Sequence, residues 1–148
     1  MHYIYFDTNG AARFDRYFKY LEDQKLALGD HVYSFASDPG RYYLDTPGTL
    51  HDAWLSNFVV DTDILSKPST TAAEVRLLGP FHDRIFVMKY SNVIEYEINS
   101  TQSVSPIDLL THEIRVVDGE IEHEYLFDKG MHLQIKCKSM QWAEVFRK

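Results

Sequence analysis

The spacing of hydrophobic positions changes period once along the chain, near Gly29. Before it, Phe14, Tyr17, Phe18, Leu21 and Leu28 recur at helical spacing, with Lys25 the polar exception, while Arg13, Asp15, Arg16, Lys19, Glu22 and Asp23 take the other sides. That stripe predicts a long helix over 11–28, capped by Thr8 or Asn9 and stopped at Gly29, following a short strand over 2–7. After Gly29 the period is two. Strands are expected over 32–36 and 41–45 across the turn Ser37-Asp38-Pro39-Gly40, over 57–61 led in by Leu50-His51-Asp52-Ala53-Trp54-Leu55, over 73–78 closed by Gly79-Pro80, and over 84–90 and 93–98 across Ser91-Asn92.

The last third specifies its own register. Asp118-Gly119 is a preferred two-residue hairpin turn, because both central positions require positive φ. It sets Val116 opposite Ile121, Ile114 opposite His123 and His112 opposite Tyr125, with Arg115 facing Glu122 on the reverse face. Asp128-Lys129-Gly130 fits a three-residue loop and sets Phe127 opposite Met131, Tyr125 opposite Leu133, His123 opposite Ile135 and Ile121 opposite Cys137, with Glu122 and Glu120 facing Lys136 and Lys138. Two independent turns thus assign the same residues to the same face, and a slip of one residue would invert them all. The tail over 139–148, with Trp142, Val145 and Phe146, reads as a short helix. The whole is an α+β domain over 1–148: a meandering antiparallel sheet of about seven to nine strands with one long N-terminal helix and a short C-terminal helix.

Composition narrows the function classes. Aromatic residues reach 14%, which favours sheet, and hydrophobic and charged shares of 45% and 25% are ordinary for a globular protein. The single cysteine, Cys137, excludes an intramolecular disulfide and fits a reducing, cytoplasmic setting. Met1 to Asp7 lacks the basic start and apolar core of a signal peptide, and no run of about 18 apolar residues is available to span a membrane. A net charge of −7 argues against nucleic acid as partner and leaves room for a basic protein.

Candidate chemistry is sparse. His51-Asp52 and His82-Asp83 could form a split metal site, but no His-x-x-x-His or Glu-x-x-His spacing supports it, and each dipeptide opens a strand, where such side chains fix the local backbone. A phosphohydrolase site of the His-Asp type is assembled from several helices, which this chain lacks. His112, His123 and Tyr125 share the apolar face, either as neutral hydrogen-bonded core groups or as the lining of a ligand pocket. Cys137 faces inward as an inert thiol. With no nucleophile motif and no phosphate-binding loop, no catalytic residue, metal or cofactor is predicted. Glu113, Glu120, Glu122 and Glu124 share the outer face with Arg115, Lys136 and Lys138, either as a solvated ladder of ion pairs or as an acidic docking face. Tyrosines at Arg41-Tyr42-Tyr43 could pair a homodimer through a sheet edge.

The segment Leu50-His51-Asp52-Ala53-Trp54-Leu55, followed by Leu78-Gly79-Pro80-Phe81-His82-Asp83-Arg84-Ile85, resembles a small bacterial family of uncharacterised domains, with strand openings like those of immunity-type proteins of bacterial toxin systems. The resemblance spans 32–98 and leaves out the helix and the last two hairpins. It implies protection by binding a toxin and brings no catalytic residues. The expectation is a non-enzymatic protein-binding domain; the alternative is a small-molecule or metal-binding domain using the His-lined sheet face.

Overall fold

The computed structural model describes residues 1–99 and 106–148. A two-residue hairpin, β1 (Tyr5–Phe6) and β2 (Ala12–Arg13), precedes helices α1 (Asp15–Leu28) and α2 (Asp30–Ala36). Six strands follow: β3 (Trp54–Asp63), β4 (Thr70–Leu78), β5 (Arg84–Asn99), β6 (Leu109–Val117), β7 (Glu120–Phe127) and β8 (His132–Phe146). They form one antiparallel sheet in the order β3-β4-β5-β8-β7-β6. The α+β class and the antiparallel sheet are as expected; the strand count and the helices differ.

The first helix begins at Asp15 because residues 7–11 are used in a turn: the Asp7 carboxylate accepts from the Asn9 and Ala11 amides, and Gly10 takes φ 79°. Gly29, at φ 77°, ends α1 as predicted. It also starts a second helix where a strand was expected. The buried residues of α2 are Val32, Phe35 and Ala36, a helical spacing that packs them on the sheet. Arg41-Tyr42-Tyr43 is likewise not a strand. A 3-10 turn occupies Pro39–Arg41 and Tyr42 is buried, so the tyrosine edge expected to pair two copies does not exist. Finally, the tail continues β8 instead of forming a helix, since Ser139 to Phe146 pair with Arg84 to Ser91 of β5.

Ser91-Asn92 is not a hairpin turn but a corner inside β5. Before it, Phe86, Met88 and Tyr90 point inward; after it, Val93 pairs with buried Cys137. Asn92 takes φ 51°, and the partner strand changes its inward parity at the same level, from Met140 to Cys137. The corner folds the β3-β4 half of the sheet towards the β6-β7 half. The two edge strands meet at one end, where the Asp52 amide donates to the Leu109 carbonyl (2.8 Å), the Leu109 amide to Ala53 (2.9 Å), and Trp54 bridges Asp108. Helices α1 and α2 fill the inside of this roll through Tyr17, Leu21, Val32 and Phe35. The remaining edge of β6 is closed by hydroxyls: Tyr17 Oη accepts from Ile114 N (2.7 Å) and Tyr20 Oη from Val116 N (2.9 Å). An open strand edge is thereby sealed by a helix.

Candidate functional site

The inner face of β6 and β7 carries the expected trio, and the register is the predicted one: His112 opposite Tyr125 and Ile114 opposite His123. Asp118 and Gly119 both have positive φ, as the two-residue turn demands. His123 Nε2 and His112 Nδ1 lie 3.1 Å apart, and His123 Nδ1 is 2.8 Å from the Tyr90 hydroxyl, which also bonds the Tyr125 hydroxyl. Tyr42 stacks on His112 with ring centroids 4.7 Å apart. All four members of the hydrogen-bonded chain are at most 1% exposed. Burial is the main cause of their protonation states: it lowers His112 to about 3, with the Arg41 charge acting in the same direction, lowers His123 well below the usual value, and raises Tyr90 and Tyr125. Both imidazoles are neutral. Tyr90, which completes the chain, was not among the candidates read from the sequence.

The opposite face of the same strands corrects the sequence reading. Glu113, Glu122 and Glu124, expected on an exposed acidic face, are 0%, 6% and 6% exposed, and Arg115 is 3% exposed; only Glu120 of the four acids is partly open. The cover comes from residues 1–4. Glu113 accepts the backbone amides of His2 (2.9 Å), Tyr3 (3.0 Å) and Ile4 (2.8 Å). The amino group of Met1 meets Glu124 at 2.7 Å. Arg115 bonds Glu113 (2.8 Å), Glu124 (2.6 Å) and Glu122. Burial by itself would raise the Glu124 carboxyl; the Met1 ammonium and Arg115 outweigh it and hold that carboxyl at about 2. For Arg115, burial opposes the charge, and the three carboxylates outweigh it and raise its pKa.

Among the described residues, one trio places metal-ligand atoms within 4.8 Å of one another: His2, Glu113 and Glu124. The two carboxylates already accept from amides, the Met1 amino group and Arg115 on every oxygen, and His132 Nε2 lies 3.1 Å from Glu124. An ion there would have to displace the N-terminal segment that the acids hold. The His-Asp dipeptides serve turns. Asp52 and His82 both take positive φ, at 65° and 57°. His51 Nδ1 lies 2.9 Å from its neighbour Asp52, Asp83 pairs with Arg84 at 2.7 Å, and the His82 ring packs on Trp54. Cys137 is fully buried, which pushes its thiol up to about 12.

Two surfaces remain open. The acid ladder continues onto β5, where register places Glu97 beside Gln134 in the row of Glu124, and Glu95 beside Lys136 in the row of Glu122. Glu95 and Glu97 are exposed and rim a hollow of about 160 Å³. Beyond the corner, the outward face of β3-β4-β5-β8 is partly exposed: Val59, Arg76, Lys89, Ala143 and Val145 are open, Trp54, Leu78 and Ile85 half-buried, and Val87 buried. Its first row, Trp54-Leu78-Ile85-Val145, is apolar throughout; the next is Asn57-Arg76-Val87-Ala143, and the third Val59-Glu74-Lys89-Gln141. Val59 is 48% and Val145 52% exposed, and an open groove of about 440 Å³ runs over this face between Asn57 and Ser91. No described helix is long and apolar enough to cross a membrane. Comparison of the chain with protein-family models, with curated proteins and with solved structures gives no match, so the likeness to immunity-type domains rests on the residues that suggested it.

Proposed function

We propose that the chain is a non-enzymatic protein-binding domain of immunity type, which neutralises a basic partner by occupying its surface, acts in the cytoplasm, and has no nucleic-acid or membrane partner. The observation that supports this reading is how the polar groups are divided. Those with chemical potential are closed away: neutral His112 and His123 in the core, Cys137 buried, and Glu113, Glu122 and Glu124 consumed by Arg115 and the N-terminal segment. Among the exposed acids, Glu95 and Glu97 stand together on β5, with half-buried Glu120 and Asp118, 3.5 Å from Lys136, on the same side of the sheet rim, in a chain of net charge −7. The docking face is therefore displaced by two strands from where the sequence alone puts it. Charge of this kind steers encounter and selects partners more than it adds affinity. The competing small-molecule reading would seat its ligand against His112, His123 and Tyr125, all sealed by Phe35, Tyr42 and Tyr90.

Capture of binding proteins from the source cell, at low and at high salt, tests the proposal. A basic partner is expected at low ionic strength, released as salt shortens the screening length, and lost to the Glu95→Lys/Glu97→Lys variant. Capture that is indifferent to both salt and the double substitution would remove this surface from consideration.

A further inference from the structure

The partly exposed face of β3-β4-β5-β8 calls for a separate account. A solvated sheet face is ordinarily polar at its outward positions. Here the first outward row, Trp54, Leu78, Ile85 and Val145, is apolar across four strands and continues into Val87 and Ala143 of the second row; Val145 and Ala143 are exposed, Trp54, Leu78 and Ile85 half-buried and Val87 buried, while Val59 stands apart among Asn57, Glu74 and Asp61. Large exposed apolar patches mark interaction surfaces. The charges set within this face are Asp61, Glu74, Arg76 and Lys89, so it is neutral on a protein whose net charge is −7. That balance does not fit the basic partner proposed for the Glu95–Glu97 rim. On such a face two equally acidic chains meet with less repulsion than on a charged one.

We infer that this face binds a second copy of the chain, sheet against sheet, about a two-fold axis running along the strands between β4 and β5. Glu74 and Lys89 are register partners in the third row. An axis between their strands lays β4 of one copy over β5 of the other, so that Glu74 of each copy stands over Lys89 of its mate, twice per dimer. The same operation lays the apolar first row of one copy on that of the other. Neighbouring strands are about 4.8 Å apart and alternate residues about 6.8 Å, so the three rows span roughly 15 by 14 Å between their outer Cα atoms. That is smaller than a standard specific interface, so the expected dimer is a weak one, to be sought at about 1 to 100 µM. The Glu95–Glu97 rim lies beyond the corner and outside the contact, leaving a dimer with two acidic rims.

Sedimentation equilibrium across that concentration range tests the inference with the chain as it stands. The expected result is a mass rising from 17.3 kDa towards twice that value. Val145→Lys, at an exposed position, is expected to weaken the dimer at least tenfold while leaving the circular dichroism spectrum and thermal midpoint of the dilute monomer unchanged. Glu74→Lys is expected to weaken it about tenfold and Glu74→Lys/Lys89→Glu to recover it to within about threefold, while the thermal midpoint of each dilute monomer is followed in parallel, because Glu74 and Lys89 are also neighbours within one chain and a change in that midpoint would assign the effect to the fold. A monomer throughout the range overturns the inference, as does a dimer indifferent to Val145→Lys or unrescued by the charge swap. Either failure leaves the salt-sensitive capture at Glu95 and Glu97 to be judged by its own experiment.

Discussion

One outward sheet surface is treated in opposite ways on its two sides of the corner at Asn92. On β6 and β7 it carries Glu113, Arg115, Glu122 and Glu124, and these charges are buried. On β3, β4, the first half of β5 and the second half of β8 it carries an apolar row, Trp54, Leu78, Ile85 and Val145, followed by mixed rows, and it is partly exposed. Polarity alone would have assigned water to the first and cover to the second. What decides is geometry: residues 1–4 reach the charged half and satisfy it amide by amide, while both helices lie inside the roll and never reach the apolar half. Buried charge is tolerated when every lone pair is met, and a lone apolar face is tolerated when a partner meets it.

The most forceful way to break the contrast is Arg115→Met, which leaves three buried carboxylates facing one another. Removing one partner of a buried ionic group costs about 3–5 kcal/mol, and urea unfolding at pH 7 is expected to show a loss of that size or no folded protein. Next comes acid. His112 and His123 are neutral bases with folded pKa values below the unfolded value near 6.5. Their stabilising contribution is therefore complete above about pH 6.5 and is lost as pH falls towards the folded value, about 3 for His112. Each group can contribute up to about 1.4 kcal/mol per pH unit in that window. The urea midpoint is expected to drop steeply between pH 6.5 and 4.5, and His112→Phe/His123→Phe to flatten that slope even if it lowers stability at pH 8. Glu124, held at about 2, adds its own loss only below its ordinary value of 4.5.

A gentler probe of the covered half is Glu113→Gln. It keeps the shape but removes the charge that three amides and Arg115 share, at a cost of about 1.5–3 kcal/mol. Hydrogen exchange at residues 2–4 is expected to accelerate well before that of β6, and equal acceleration of both would show that the segment is not held through Glu113. The smallest effect belongs to the partly exposed half. Val59→Lys is expected to change the stability of the dilute monomer by less than about 0.5 kcal/mol in urea unfolding, because Val59 stands on the outward face with half of its surface open to water.

How much of this could be read from the chain follows from where each determinant sits. The β6-β7-β8 register was legible in full, because Asp118-Gly119 and Asp128-Lys129-Gly130 are local turns whose geometry dictates pairing. Which face would be wet was not, since the cover for Glu113 comes from Ile4, 109 positions away. Val32 to Ala36 looked like a strand because short apolar runs carry no decisive period; the i, i+3, i+4 set Val32, Phe35, Ala36 becomes meaningful only once the sheet is there to receive it. Trp142, Val145 and Phe146 suggested a helix until pairing with Arg84 to Met88 overrode local preference. At Ser91-Asn92 the turn signal was real, but the chain used it to bend a strand. The candidate residues show the same divide: His112, His123 and Tyr125 were correctly placed on one face, while their partner Tyr90 belongs to β5, whose register against β8 no turn signal in the sequence sets.

The seam between Ile4 and Glu113 has a kinetic side. Its partners are remote in sequence, so forming it carries a loop-closure cost, and we expect the segment over residues 1–4 to dock after β6 has paired with β7. A clasp that closes last contributes nothing at the folding barrier and everything against the return journey. Glu113→Gln should accordingly hasten unfolding while leaving the refolding rate nearly untouched, which makes those four residues the timer of the native state's lifetime.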